Sequence, residues 1–164
     1  PAINQIMSFE FGFYASTISG SVSAVSSALI LYVILRSETL LTSIYHRIMF
    51  GMSVADIMSS IAFALTTLPM PQEVDYHVEW PVRKIGNEAT CRAQGFFFSL
   101  GIFAMFLYNA SLCVYYASII AFRMEEHVFR KYLEPFIHAV PISMGLLFAL
   151  LPFFIKLRNP FVSS

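Results

Sequence analysis

Four long stretches of this chain carry almost no charge, and that pattern limits its folding choices more than any other feature. Phe11 to Leu35 is uncharged and closes at Arg36. Ile48 to Gln72 is interrupted by Asp56 alone, Ala93 to Phe122 by nothing, and Pro135 to Ile155 by His138 alone. Each is long enough to cross the ~30 Å hydrocarbon core as a helix, and none alternates as barrel strands do. Charged residues make up 12% of the chain, against roughly 25% in soluble domains. The expectation is all-α: a polytopic transmembrane bundle, one membrane domain over residues 1–164, with helices at about 11–35, 46–70, 90–122 and 135–156. The third run would extend ~45 Å as a helix, so it should tilt or project from the bilayer.

Asp56 sits near the middle of the second run, where a carboxylate costs at least ~2.5 kcal/mol on insertion scales. A chain that keeps an acid there uses it for ion binding, a proton relay or a buried polar network, or simply bonds it to a neighbouring helix. Ser53, Ser59 and Ser60 share its stripe, which should face the bundle interior. The third run carries Gln94, Ser99, Asn109, Ser111, Tyr115, Tyr116 and Ser118. Asn109 is its most polar deep group and the expected partner of Asp56. Asn109-Ala110-Ser111 matches a glycosylation triplet but lies within an apolar span.

On the first run, Ser16, Gly20, Ala24 and Ala28 repeat every fourth residue, with Ser19, Ser23 and Ser27 beside them. Small residues at that spacing let helices approach closely, so this is a packing face with a tight partner rather than a catalytic serine set. Pro69 and Pro71 should end the second helix. A polar loop from Pro71 to Asn87 follows, with Glu73, Asp75, His77, Glu79 and the single Trp80, a residue suited to anchor at headgroup level or to pack on the loop.

Arg123 to Glu134 is charged throughout, and Glu126 with Arg130 suggests an i,i+4 pair on a short surface helix. It reads either as a solvated connector or as a partner loop presenting Arg123, Arg130 and Lys131. Basic residues divide five to five between the two membrane sides, so charge does not orient the chain.

Other classes recede. The formal net charge is zero, which gives no case for nucleic acid. His46, His77, His127 and His138 are scattered, no phosphate loop or zinc spacing appears, and no nucleophile and base stand out, so no residue is catalytic. Cys91 and Cys113 fall on one predicted helix, roughly 33 Å apart, and cannot bridge each other. Cys113 reads as a small packing residue. The chain begins with Pro, so an incomplete or processed product is expected, and the first apolar run lacks the basic leader of a signal peptide.

Met52-Ser53-Val54-Ala55-Asp56, preceded by Tyr45-His46-Arg47, resembles the second helix of G-protein-coupled receptors. Gly86-Asn87-Glu88-Ala89-Thr90-Cys91 and Gln94-Gly95-Phe96-Phe97 resemble the start of the third, and Leu107-Tyr108-Asn109-Ala110-Ser111-Leu112 continues it. The likeness is to divergent seven-helix receptor-like proteins of protists and microalgae, loosely from Ser19 to Phe154, and covers four helices of seven. It implies that Asp56 coordinates sodium or water, with Ser53 and Asn109 nearby. It also implies that Cys91 is disulfide-bonded to a partner outside this segment, and that Arg123–Glu134 faces a G protein. There are departures. The first helix lacks the family's usual Asn and offers Ser26 and Ser27, and the Asp-Arg-Tyr position reads Tyr115-Tyr116-Ala117.

The other reading is a non-catalytic accessory subunit of a larger membrane complex, for example photosynthetic or respiratory. It would contact lipid, pigment and other membrane subunits through its helices, with His138 the first candidate pigment ligand. An intramembrane transporter is disfavoured, because no internal repeat is visible.

Overall fold

A computed structural model describes residues 2–37, 41–65, 68 and 86–158, with side chains for all of these except 2–10, 13, 153 and 155–158. It is all-α. Helix α1 spans Ala2–Arg36, α2 Ile44–Leu65, and α3 Glu88–Tyr116, prolonged by a π-helical turn at Ala117–Ala121. A short α4 covers Glu126–Tyr132, and α5 runs over Glu134–Arg158. Four segments are long and apolar enough to cross a bilayer, as in a multi-pass integral membrane protein: Tyr14–Arg36, Ile44–Leu65, Glu88–Ala121 and Glu134–Pro152. At most a third of the residues in the apolar core of any of these are fully buried within the chain, and large apolar side chains including Val22, Leu29, Phe106 and Phe136 are exposed.

Charge marks the end of α1 at Arg36 but not its start. Backbone hydrogen bonding is indifferent to Glu10, so α1 begins nine residues before Phe11. At its start α3 is fixed by a capping box. Asn87 Oδ1 accepts from the Thr90 backbone N–H at 2.9 Å, and Thr90 Oγ1 accepts from the Asn87 N–H at 2.8 Å. Its far end relaxes into the π-turn and reverses at Arg123, whose φ of 49° is left-handed. Pro141 and Pro152 lie inside α5 without ending it, as packed membrane helices allow. The expected stop at Pro69 and Pro71, and the loop bearing Trp80, fall outside the described residues.

Consecutive long helices are neighbours. α1 packs on α2, α2 on α3 and α3 on α5, while α2 touches α5 only lightly. The α2–α3 pair is therefore central, flanked by α1 and α5. Both α1–α2 and α2–α3 contacts depend on glycine. A Cβ on Gly20 would stand 2.8 Å from the Ser60 carbonyl oxygen, and one on Gly101 would stand 2.6 Å from the Ala55 carbonyl oxygen. The α1 seam is Gly20, Ser27 and Ile34, each buried and seven residues apart. Ala28, expected on that face, is exposed.

The connector forms the short helix expected of it, but the Glu126–Arg130 pair gives way to another contact. Arg130 donates to the Thr42 backbone carbonyl. What fixes α4 is Phe129, fully buried beside Ile44, Ile48 and Ile137 and edge-on to Tyr115 at 5.2 Å between ring centres. Arg123 and Lys131 stay exposed.

Candidate functional site

Asp56 lies halfway along α2 and faces α1. Ser23 Oγ donates to its Oδ2 at 3.0 Å, and Ser27, one turn further along α1, donates to the same oxygen. From α2 itself Ser60 Oγ donates to Oδ1 at 3.4 Å, and Ser59 Oγ donates to the Asp56 backbone carbonyl at 3.1 Å. Three hydroxyls thus serve one carboxylate in a region where water is scarce. That offsets the cost of burying it, because each oxygen keeps a donor. The two α1 serines come from the middle of a 23-residue span and Asp56 from the middle of a 22-residue one, which places them at one depth.

Of the two expected partners, Asn109 lies elsewhere and Ser53 makes no bond to Asp56. Asn109 is exposed on the outer side of α3, one residue past the inward-facing Tyr108, and the groups bonded to Asp56 are serines instead. Ser53 is 2% exposed, and its hydroxyl has no hydrogen-bond partner among the described residues. Ser26 is exposed and donates to its own helix at Val22, so of the two serines offered in place of the receptor Asn, Ser27 makes the contact. From the residues alone Ser23 and Ser27 read as packing residues, and only the receptor resemblance singled out Ser27. Their i,i+4 spacing at the depth of Asp56 is the signal that would have marked them.

A second polar cluster joins α2, α3 and α5 nearer the α4 end. Arg47 Nη2 donates to Glu134 Oε2 at 3.0 Å. Its Nε lies 2.8 Å from Oε1 as an ionic contact, though the N–H is not aligned for a hydrogen bond. One turn along α5, His138 Nε2 is 4.0 Å from Glu134, and its Nδ1 is 3.4 Å from the buried Tyr108 hydroxyl. Gly51 leaves room for that tyrosine, since a Cβ there would stand 2.6 Å from the phenol ring. Both His138 nitrogens therefore have protein neighbours, and a pigment magnesium would have to displace one of them. The sequence placed Arg47 at the start of the second helix and Glu134 in the charged connector, with nothing to pair them.

Cys91, half-buried in the first turn of α3, and Cys113, exposed near its other end, are disulfide-bonded neither to each other nor to another described residue. Among the described residues no group of three or more His, Cys, Asp or Glu side chains is placed to hold a metal ion. Comparison with protein-family models, curated proteins and solved structures found no match to this chain.

Proposed function

We propose that the chain is a non-catalytic, receptor-like membrane protein in which Asp56 is an ion-responsive polar site between the first two helices. The observation that carries this reading is the carboxylate held from α1 by Ser23 and Ser27 and from α2 by Ser60. The resemblance of Met52–Asp56 to the second helix of G-protein-coupled receptors places an acid at this position, and a first-helix group beside it accords with that likeness. Hydroxyls rotate, so the same serines that donate to the carboxylate can present lone pairs to a sodium ion beside it. Ser53, one turn away with its hydroxyl unengaged, adds a further oxygen. On this reading the exposed Arg123 and Lys131 of the α4 connector face a G protein.

The test is thermal unfolding of the purified protein in sodium and in potassium at equal ionic strength, for the native chain and for Asp56→Asn. Sodium should raise the native midpoint and leave Asp56→Asn unmoved. A native protein indifferent to sodium would remove the ion site and leave Asp56 a packing residue.

One observation favours a second reading, an accessory subunit in a larger membrane complex. Asn109 and Cys113 are exposed one turn apart within an apolar span, and lipid offers an amide no partner. On that reading Asn109→Leu would shrink the particle extracted from native membranes by mild detergent.

A further inference from the structure

Between α2 and α5, floored by α3, lies a cleft of about 400 Å³, a size within the usual range for small-molecule sites. It exists because α2 and α5 barely meet and because the floor between them includes the small residues Gly101 and Ala104. Phe50, Val54 and Met58 of α2 line one side and Ile142 of α5 the other, all of them half-buried or exposed. The cleft is therefore walled by apolar side chains that remain open to the surroundings of the bundle.

Its polarity is confined to one end. Arg47, Tyr108 and His138 are the polar side chains that line it, and they are joined to one another through Glu134 and the tyrosine hydroxyl. Glu134 itself does not line the cleft. It engages the Nε and Nη2 edge of Arg47 and so leaves the Nη1 donors of the guanidinium. Arg47 lies in the first turn of α2, at the level where a spanning helix leaves the hydrocarbon. Met58, at the other end, is eleven residues further along, about 16 Å at helical rise. An elongated apolar trough that ends at an ion-paired guanidinium and two hydrogen-bonding groups matches an amphiphile, and the Nη1 edge of the guanidinium suits a phosphate oxygen.

We infer that this cleft is a binding site for an anionic glycerophospholipid, its phosphate at Arg47, Tyr108 and His138 and one acyl chain along Val54 and Met58. The inference does not depend on the receptor reading.

Thermal unfolding of the full chain in a neutral maltoside detergent tests it, with phosphatidylglycerol, phosphatidylcholine or inorganic phosphate added in turn. At a hundredfold excess over half-saturation, phosphatidylglycerol should raise the midpoint by about 5–10 °C. Phosphatidylcholine and inorganic phosphate should leave it in place. Val54→Trp and, independently, Ile142→Trp fill the trough without touching the ion pair, and either should abolish the response. Equal shifts with both lipids, a shift reproduced by inorganic phosphate, no shift at all, or a full response in a folded tryptophan variant would each overturn the assignment.

Discussion

Ser27 of α1 and Asp56 of α2 are joined side chain to side chain across 29 residues of sequence, at the depth where the two spans are furthest from water. Ser23 repeats the contact one turn away. The pair fixes the rotation of α1 about its own axis, because only one face of the helix carries both hydroxyls. That face also carries Gly20 and Ile34, so polar and packing constraints select the same seam.

Gly20 and Ala28 should therefore respond differently to enlargement. Gly20→Leu drives a side chain into the Ser60 carbonyl and the Ala64 backbone, where even a Cβ would stand within 3 Å. Overpacking of this kind typically costs about 1–3 kcal/mol, and more when backbone blocks the way. Ala28→Leu adds a side chain to an exposed position and should be close to neutral. Thermal melts of the two variants in one detergent check the contrast.

The Arg47–Glu134 contact is a part-buried ion pair in which Glu134 is enclosed and Arg47 is partly exposed. Arg47→Ala leaves the enclosed carboxylate uncompensated and should destabilise by up to about 3 kcal/mol, whereas Glu134→Ala leaves an arginine that can turn outward and should cost less. Because the partner is then missing already, the double variant should cost much less than the two single losses added together. Denaturant titration of all four proteins reads the coupling directly.

Phe129 is fully buried on a helix of only seven residues, and it is the anchor of that helix. Phe129→Ala should cost about 3–5 kcal/mol if its site cannot collapse. The loss should show first as faster proteolysis between Arg123 and Glu134, because α4 has little else to hold it. Arg130→Ala, which removes a contact to one backbone carbonyl at the surface, should be much milder.

The four spans were legible because membrane helices are written as contiguous apolar runs, and Asp56 because a lone charge inside one is conspicuous. The rotation of each helix was not. A strict repeat of four advances 400° and so drifts 40° at each step at 3.6 residues per turn. The series Ser16, Gly20, Ala24, Ala28 begins on the α2 face and has left it by Ala28. The seam that packs follows the seven-residue spacing of Gly20, Ser27 and Ile34. Asn109 failed as the partner of Asp56 for the same reason. It is one residue from the inward Tyr108, and one residue is 100° of helix. Arg47 and Glu134 stand 87 residues apart and meet only because α2 and α5 both start at the α4 end, which counting charges per side cannot reveal.

The Ser27–Asp56 contact is tested most directly by a double-mutant cycle on Ser27→Ala and Asp56→Ala, the second of which leaves the serine no acceptor. Unfolding of the native, single and double variants would be followed by helical circular dichroism in one detergent. Hydrogen bonds to charged groups contribute about 1.5–3 kcal/mol, so Ser27→Ala should destabilise clearly and should lose most of its effect once Asp56 is already Ala. The predicted coupling is at least about 1 kcal/mol. Additive effects within about 0.5 kcal/mol would contradict the account, because they would mean that the two side chains do not act on one another and that Asp56 is held by something else.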